Sequence, residues 1–294
     1  MPLYRLSGSH ELIAPAMIAA LDGWVDAGTA ATTAAAQLVG EGSVVATFDA
    51  DAIYDYRARR PTLHIVDGRP RELDWPELSI RHTRLGERDL LVLTGPEPDF
   101  RWRELADDLV SLCLSLGIGE WISLGAIPAA VPHTRPVPIM GTESRRGLLR
   151  ADVPPGPTGL LRVPAAAISV IDLAVTAAGL PAIGYFAQIP HYVSGAYPSA
   201  GVELLRTIGR HFGEPVDTSG LQGEADALQL RLSAAAAADE TTRDYVQRLE
   251  SMVDESRLPS GDDLISDIER FLREQGGPGG SGGSGGAGGG AGRD

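Results

Sequence analysis

Four segments of this 294-residue chain place groups that can move protons or hold an anion directly behind short apolar runs. They are Leu21-Asp-Gly-Trp-Val-Asp-Ala-Gly, Thr94-Gly-Pro-Glu-Pro-Asp, Ser123-Leu-Gly-Ala-Ile-Pro-Ala-Ala-Val-Pro-His-Thr-Arg-Pro and Ala187-Gln-Ile-Pro-His-Tyr-Val. Together they supply Asp22, Gly23, Trp24, Asp26, Glu97, His133, Arg135, His191 and Tyr192. Carboxylates and imidazoles in one concavity can perform acid–base work. The planar fork of Arg135 suits a carboxylate or a phosphate. In such a site Arg135 holds the anion, His133 and His191 give or take protons, and Asp22 or Glu97 orients one of them. If Arg135 stands close to His133, it lowers that imidazole's pKa.

Each residue also has a plainer reading. Asp26 can cap the helix that follows it. Gly23 and Gly28 can permit a tight turn, or belong to a helix start that holds an anion. Trp24 can pack, and Pro128, Pro132 and Pro136 can stiffen a loop. His133 and His191 are the one pair considered for a metal, and carboxylates would have to complete the site. Outside the Gly-rich tail, whose glycine fingerprints are chance matches, there is no Gly-x-Ser-x-Gly elbow, and there is no His-Glu-x-x-His helix. The expectation is a chain with no metal and no cofactor.

The elements that must position these groups alternate. Ala14–Leu21, Val44–Phe48, Leu90–Thr94, Trp121–Ala126 and Ala182–Ala187 read as strands. Helices are expected over 27–39, 101–116, 164–178 and 199–212. Leu105, Leu109, Leu112 and Leu116 share one helical face, and Cys113 lies on it as a core thiol. Leu63–Val66 and Leu78–Thr83 bracket Gly68, Pro70 and Pro76, which suggests a meander. This alternation implies a mostly parallel sheet covered on both faces. Loops at the carboxyl ends of parallel strands meet in one crevice, where such folds hold ligands.

After about residue 219 the pattern turns helical. Leu221, Ala225, Leu228 and Leu232 share a face, as do Tyr245, Leu249, Met252 and Val253. A turn at Pro259-Ser-Gly, a capping box from Ser260 to Asp263 and a stripe of Leu264, Ile265, Ile268, Phe271 and Leu272 complete this reading. The expected organisation is an α/β domain over 1–219, a helical appendage over 220–275 and a disordered Gly-rich tail over 276–294.

Composition removes whole classes of chemistry. The chain has no Lys and no Asn, so all 25 basic residues are Arg. That excludes a Walker-type phosphate loop and every Lys Schiff base. The joint absence points to a high-GC genome. The net charge of -14 argues against a nucleic-acid partner. Residues 220–275 carry 6 Arg against 13 Asp and Glu, half of that net charge, which reads as solvated helix faces or as a docking surface for a basic partner. Cys113 is the only cysteine, so no intrachain disulfide forms. The first residues lack a signal-peptide pattern, and Leu12–Leu21 is too short to span a bilayer. A cytoplasmic protein with no membrane partner is expected.

The blocks LDGWVDAG, VATFDAD, DYRARRP, LTGPEPDFRW, SLGAIPAAVPHTRP, QIPHYVSGAYP and SGDDLISDIERFLR resemble the PAC2 family, named after proteasome assembly chaperone 2. The resemblance runs from residue 3 to about 275. It implies a three-layer α/β/α sandwich of the nucleoside phosphorylase/hydrolase type. It also implies a homo-oligomer, with a trimer as the best guess, and brings no established activity. Relatives engage proteasome rings through a C-terminal hydrophobic–Tyr–any tripeptide, whereas this chain closes on Ala-Gly-Arg-Asp. Two functions follow. One is a non-enzymatic protein-binding module resembling a proteasome-assembly chaperone, with a proteasome-related partner. The other is an enzyme acting in the crevice on a nucleoside-like or other small anionic substrate.

Overall fold

Strand β2 (Ala16–Asp22) is apolar at every position before its last, as a strand covered on both faces must be. Ala16, Ile18 and Ala20 join one core, and Met17, Ala19 and Leu21 join the other. The computed structural model describes residues 1–8 and 11–256.

Parallel to β2 on its two sides run β7 (Arg88–Pro96) and β8 (Glu120–Ala129), and β10 (Ala182–Pro190) continues the parallel set beside β8. Four more strands extend this sheet: β1 (Tyr4–Leu6), β3 (Ser43–Phe48), β6 (Ser79–Leu85) and β9 (Ile139–Glu143). The order is β1-β3-β6-β7-β2-β8-β10-β9. Strands β1, β6 and β9 run antiparallel to their neighbours.

Helices α1 (Ala30–Val39), α5 (Pro198–Phe212) and α6 (Ser219–Ala238) cover one face. Helices α3 (Trp102–Ser115) and α4 (Ala167–Ala177) cover the other, where the short α2 (Ala50–Ile53) also adds Ile53. The result is the expected three-layer α/β/α arrangement. Leu105, Leu109, Leu112 and Cys113 of α3 are fully buried. Burial pushes the Cys113 thiol up to about 12, which suits packing rather than nucleophilic chemistry.

One expected element is corrected. The run around Leu63 does not meander into the main sheet. Strand β4 (Thr62–Val66) folds back on β5 (Arg69–Asp74) as a separate two-stranded hairpin. Asp67 and Gly68, with φ of 53° and 75°, form its turn. Two successive left-handed residues are what a twisted two-residue hairpin turn requires.

Helix α7 (Glu240–Ser256) follows α6 after a break at Asp239. Asp239 caps α7 by accepting the Thr242 N–H at 2.7 Å. One compact unit closes at Glu250, and Ser251–Ser256 continue the helix beyond it. The expected turn at Pro259, the stripe from Leu264 to Leu272 and the Gly-rich tail lie outside the described residues. Among the described residues no helix is long and apolar enough to cross a membrane.

Candidate functional site

Strands β7, β2, β8 and β10 are parallel, so the segments after Pro96, Asp22, Ala129 and Pro190 all leave from one edge of the sheet. The side chains there sort into separate groups.

At the ends of β2 and β7 the organiser is Glu97. Its Oε2 accepts the Trp24 N–H at 3.3 Å, and its Oε1 accepts the Ala167 N–H at 2.6 Å at the start of α4. A carboxylate at a helix N-terminus is favoured by the helix dipole. The Glu97 N–H in turn donates to the Asp22 carbonyl at 2.7 Å. Gly23, at φ 149°, leaves room for this carboxylate: a Cβ there would stand 2.7 Å from Glu97 Oε2. Glu97 thus joins two loops and a helix, and these bonds leave it orienting backbone rather than an imidazole. The Trp24 side chain is 65% exposed.

Asp26 is buried and turns toward α1. Its Oδ1 accepts the Ala31 N–H at 2.7 Å, and its Oδ2 accepts the Thr32 hydroxyl. Burial raises its pKa against these bonds. This is helix capping from just upstream of the helix.

Over the ends of β8 and β10 stands a denser network. His133 is 4% exposed. The Tyr192 hydroxyl accepts the His133 backbone N–H at 2.8 Å and lies 2.8 Å from His133 Nδ1. Its own proton is therefore free to donate to Nδ1, which leaves the ring proton on Nε2, 3.3 Å from Ser233 Oγ on α6. His191 takes the opposite tautomer. Its Nδ1 faces the Ala129 carbonyl at 3.0 Å and must donate, so in the neutral ring Nε2 accepts from the Tyr245 hydroxyl of α7 at 3.0 Å. Burial pushes the His133 pKa down, and the Glu250 carboxylate opposes it. The lowering expected from Arg135 is thus corrected: desolvation is the cause.

The anion that Arg135 faces belongs to the protein. Arg135 Nη1 lies 3.3 Å from Glu250 Oε1 on α7, the oxygen that also accepts the Thr134 hydroxyl. Beside this pair is a cavity of about 300 Å³, between the loop after β8, the first turns of α5 and α6. His133, Arg135, Ser199, Arg206, Gln222 and Asp226 are among its lining residues, whereas Asp22, Trp24, Glu97 and His191 are not. Among the described residues, His, Cys, Asp and Glu form no group of three able to hold a metal ion.

Ser233, Tyr245 and Glu250 were not legible as site residues. They sit on helices whose sequence shows only ordinary amphipathic spacing, and the tertiary fold brings them to this edge.

The sequence profile of the PAC2 family matches residues 20–236. The chain belongs to the PAC2 family. Tyr245 and Glu250, which close the network on His191 and Arg135, lie beyond the matched residues of this PAC2 protein. Among solved structures it is similar to a proteasome-assembly chaperone homologue from Mycobacterium tuberculosis. That likeness has 34% identity and a TM-score of 0.72, covering 79% of this chain and 99% of the other. A PAC2 family protein from Streptomyces avermitilis is also 34% identical, with a TM-score of 0.70 and the same coverage. A Corynebacterium glutamicum protein of unknown function is 28% identical, with a TM-score of 0.79, covering 86% of this chain and 97% of the other. Comparison with curated proteins found no match.

Proposed function

We propose that this PAC2 protein is a non-enzymatic protein-binding module with a chaperone-like role toward a proteasome-related partner, acting as a homo-oligomer in the cytoplasm. The observation that carries the reading is the state of the proton-moving groups. His133 is bonded to Tyr192 and faces Ser233, His191 is bonded to Tyr245, and Arg135 is paired with Glu250. Groups so engaged hold loops and helices together. The likeness to the M. tuberculosis chaperone homologue over 79% of the chain supports the same reading. The test mixes the purified chain with actinobacterial proteasome α- and β-subunits and follows ring assembly by native mass spectrometry. The expected result is a complex containing the chain and an altered rate of ring formation. Absence of any such complex, with ring assembly unchanged, overturns the reading.

The cavity beside Arg135 favours a second reading, an enzyme for a small anionic substrate. Saturable binding of inorganic phosphate or a nucleoside, lost in Arg135→Ala while unfolding stays unchanged, would establish it.

A further inference from the structure

The β4–β5 hairpin leaves the same edge of the sheet as the four segments above. Strands β3 and β7 both run antiparallel to β6, so β3 ends where β7 ends and β6 begins there. Between β3 and β6 the chain makes the hairpin. All fourteen residues from Thr62 to Trp75 are exposed, including the large hydrophobics Leu63, Ile65 and Leu73. Among the described residues β4 pairs with β5 alone. A hairpin standing as its own two-stranded sheet is marginally stable and gains from further strands.

Its two outer edges differ. Strand β5 carries Pro70, which offers no N–H, an extra residue at Arg71 where the register shifts, and charges at Arg69, Glu72 and Asp74. These are devices that blunt an edge. Strand β4 reads Thr-Leu-His-Ile-Val, with no Pro and no carboxylate or guanidinium, a composition that favours further pairing.

The register of the hairpin fixes which backbone groups are free. Val66 and Arg69 close the two-residue turn at Asp67 and Gly68, so they bond to each other, and bonded and unbonded positions alternate from there. Leu63 and Ile65 therefore turn their N–H and C=O groups away from β5. Two such strands, run antiparallel about a twofold axis through His64, set Leu63 of each copy opposite Ile65 of the other. Each of these pairs exchanges its main-chain bonds, and its two side chains stand together on the apolar face. His64 meets its own copy at the axis, each imidazole lying 2.5 Å from its own Asp74.

Charge selects the occupant. From Arg60 to Asp74 three Arg balance three Asp and Glu, a net of zero in a chain of net charge -14. A strongly acidic or basic partner finds no complementary field on this segment. Charges beyond about 8 Å are screened at physiological salt, so two acidic chains can meet at a neutral hairpin. The ends of β4 differ in sign, with Arg60 before it and Asp67 after it, neither in an ion pair among the described residues. Antiparallel self-pairing brings the Arg60 end of each copy to the Asp67 end of the other. Parallel pairing would align like charge with like.

We propose that β4 is the edge through which two copies of this chain join, antiparallel and centred on His64, merging two hairpins into one four-stranded sheet. Such an isologous contact uses a single patch twice. So few main-chain bonds make a weak, concentration-dependent contact, and the fold of the dilute protomer does not depend on it. This inference rests on the homo-oligomer reading above and names its surface and symmetry.

The test uses the full chain. Sedimentation equilibrium should show a mass that doubles as concentration rises. Leu63→Lys with Ile65→Lys sets like charges opposite each other and should abolish the doubling, with the unfolding temperature of the dilute protein unchanged because both side chains are exposed. Oxidation reads the register. At the axis the two His64 Cα atoms stand about 4.5 Å apart, within the span of a disulfide, so His64→Cys should cross-link two copies. Thr62→Cys lies on the same face but about 14 Å from its counterpart, and should cross-link about tenfold more slowly. Cys113 is buried and does not compete. Equal cross-linking of the two variants, or doubling that survives the Lys changes, overturns the proposal. An oligomer of constant mass with no preference for His64→Cys removes self-pairing and leaves the homo-oligomer reading to another surface. A chain that is monomeric at every concentration removes both. If the Lys changes abolish binding of proteasome subunits in a chain that never self-associates, the edge belongs to that partner and self-pairing falls.

Discussion

Two regions of one sheet edge solve the same problem in opposite ways. Over β8 and β10, helices α6 and α7 supply Ser233, Tyr245 and Glu250, which meet His133, His191 and Arg135 of the edge loops. Beyond β3 and β6, the hairpin keeps its apolar face and the outer edge of β4 uncovered. Buried polar groups left unpaired are costly, so the first region gains from closing on itself. Exposed strands carry no such penalty, because water satisfies their backbone, and this region remains available to a partner. The contrast separates residues that hold the fold from residues free to recognise something else.

The comparison can be broken most directly at α7. Leu249 is 3% exposed, and Leu249→Ala should cost about 2–5 kcal/mol, measured by denaturant unfolding. A loss below a few tenths would mean that α7 does not secure the closed region.

Next in size is a gain at Asp172 of α4. Its carboxylate accepts Trp121 Nε1–H at 2.7 Å and the Ser123 hydroxyl at 3.1 Å, and burial pushes its pKa up to about 6. A carboxyl whose folded pKa lies above its unfolded value is held best when protonated. Its contribution is present below about pH 4 and is lost as pH rises from there toward 6. Asp172→Asn keeps an acceptor for Trp121 without the charge. It should stabilise the protein by about 3 kcal/mol at pH 7 and by little at pH 4, read from thermal unfolding at both values.

Third, Arg135→Ala removes the cation facing the half-buried Glu250. A charge-assisted bond of this kind contributes about 1.5–3 kcal/mol, so stability should fall by that order. Unchanged stability would return Arg135 to the role of ligand holder. The smallest effect belongs to the open region. Ile65→Ala should change stability by no more than about 0.5 kcal/mol, and a larger loss would show that the hairpin's apolar face is already covered.

Much of the scaffold was legible. Strands β2, β7, β8 and β10 are covered on both faces, so they are written as near-continuous apolar runs that stand out from their surroundings. The faces of α3 and α6 follow a helical period for the same reason. Strand β5 escaped because hydrophobic patterning reports burial, and Arg-Pro-Arg-Glu-Leu-Asp is exposed throughout. The Asp67-Gly68 pair was nevertheless a usable hairpin signal. Short β1 and β9, at the two edges of the sheet, were missed too.

The candidate residues show the same division. That Asp22, Glu97, His133 and His191 leave from one sheet edge follows from local strand patterns and the right-handed crossover rule. Which side chain each one meets does not, since hydrogen-bond partners are set by the approach of elements distant in sequence. Glu97 reaches Ala167, Arg135 reaches Glu250 and His191 reaches Tyr245. The sequence by itself determined the layered fold, the buried thiol and the excluded lysine chemistry, because these depend on residue type and local period. Only the tertiary structure decided that the acid–base groups are held by α4, α6 and α7 while β4 stands open, because that outcome depends on which surfaces meet in space.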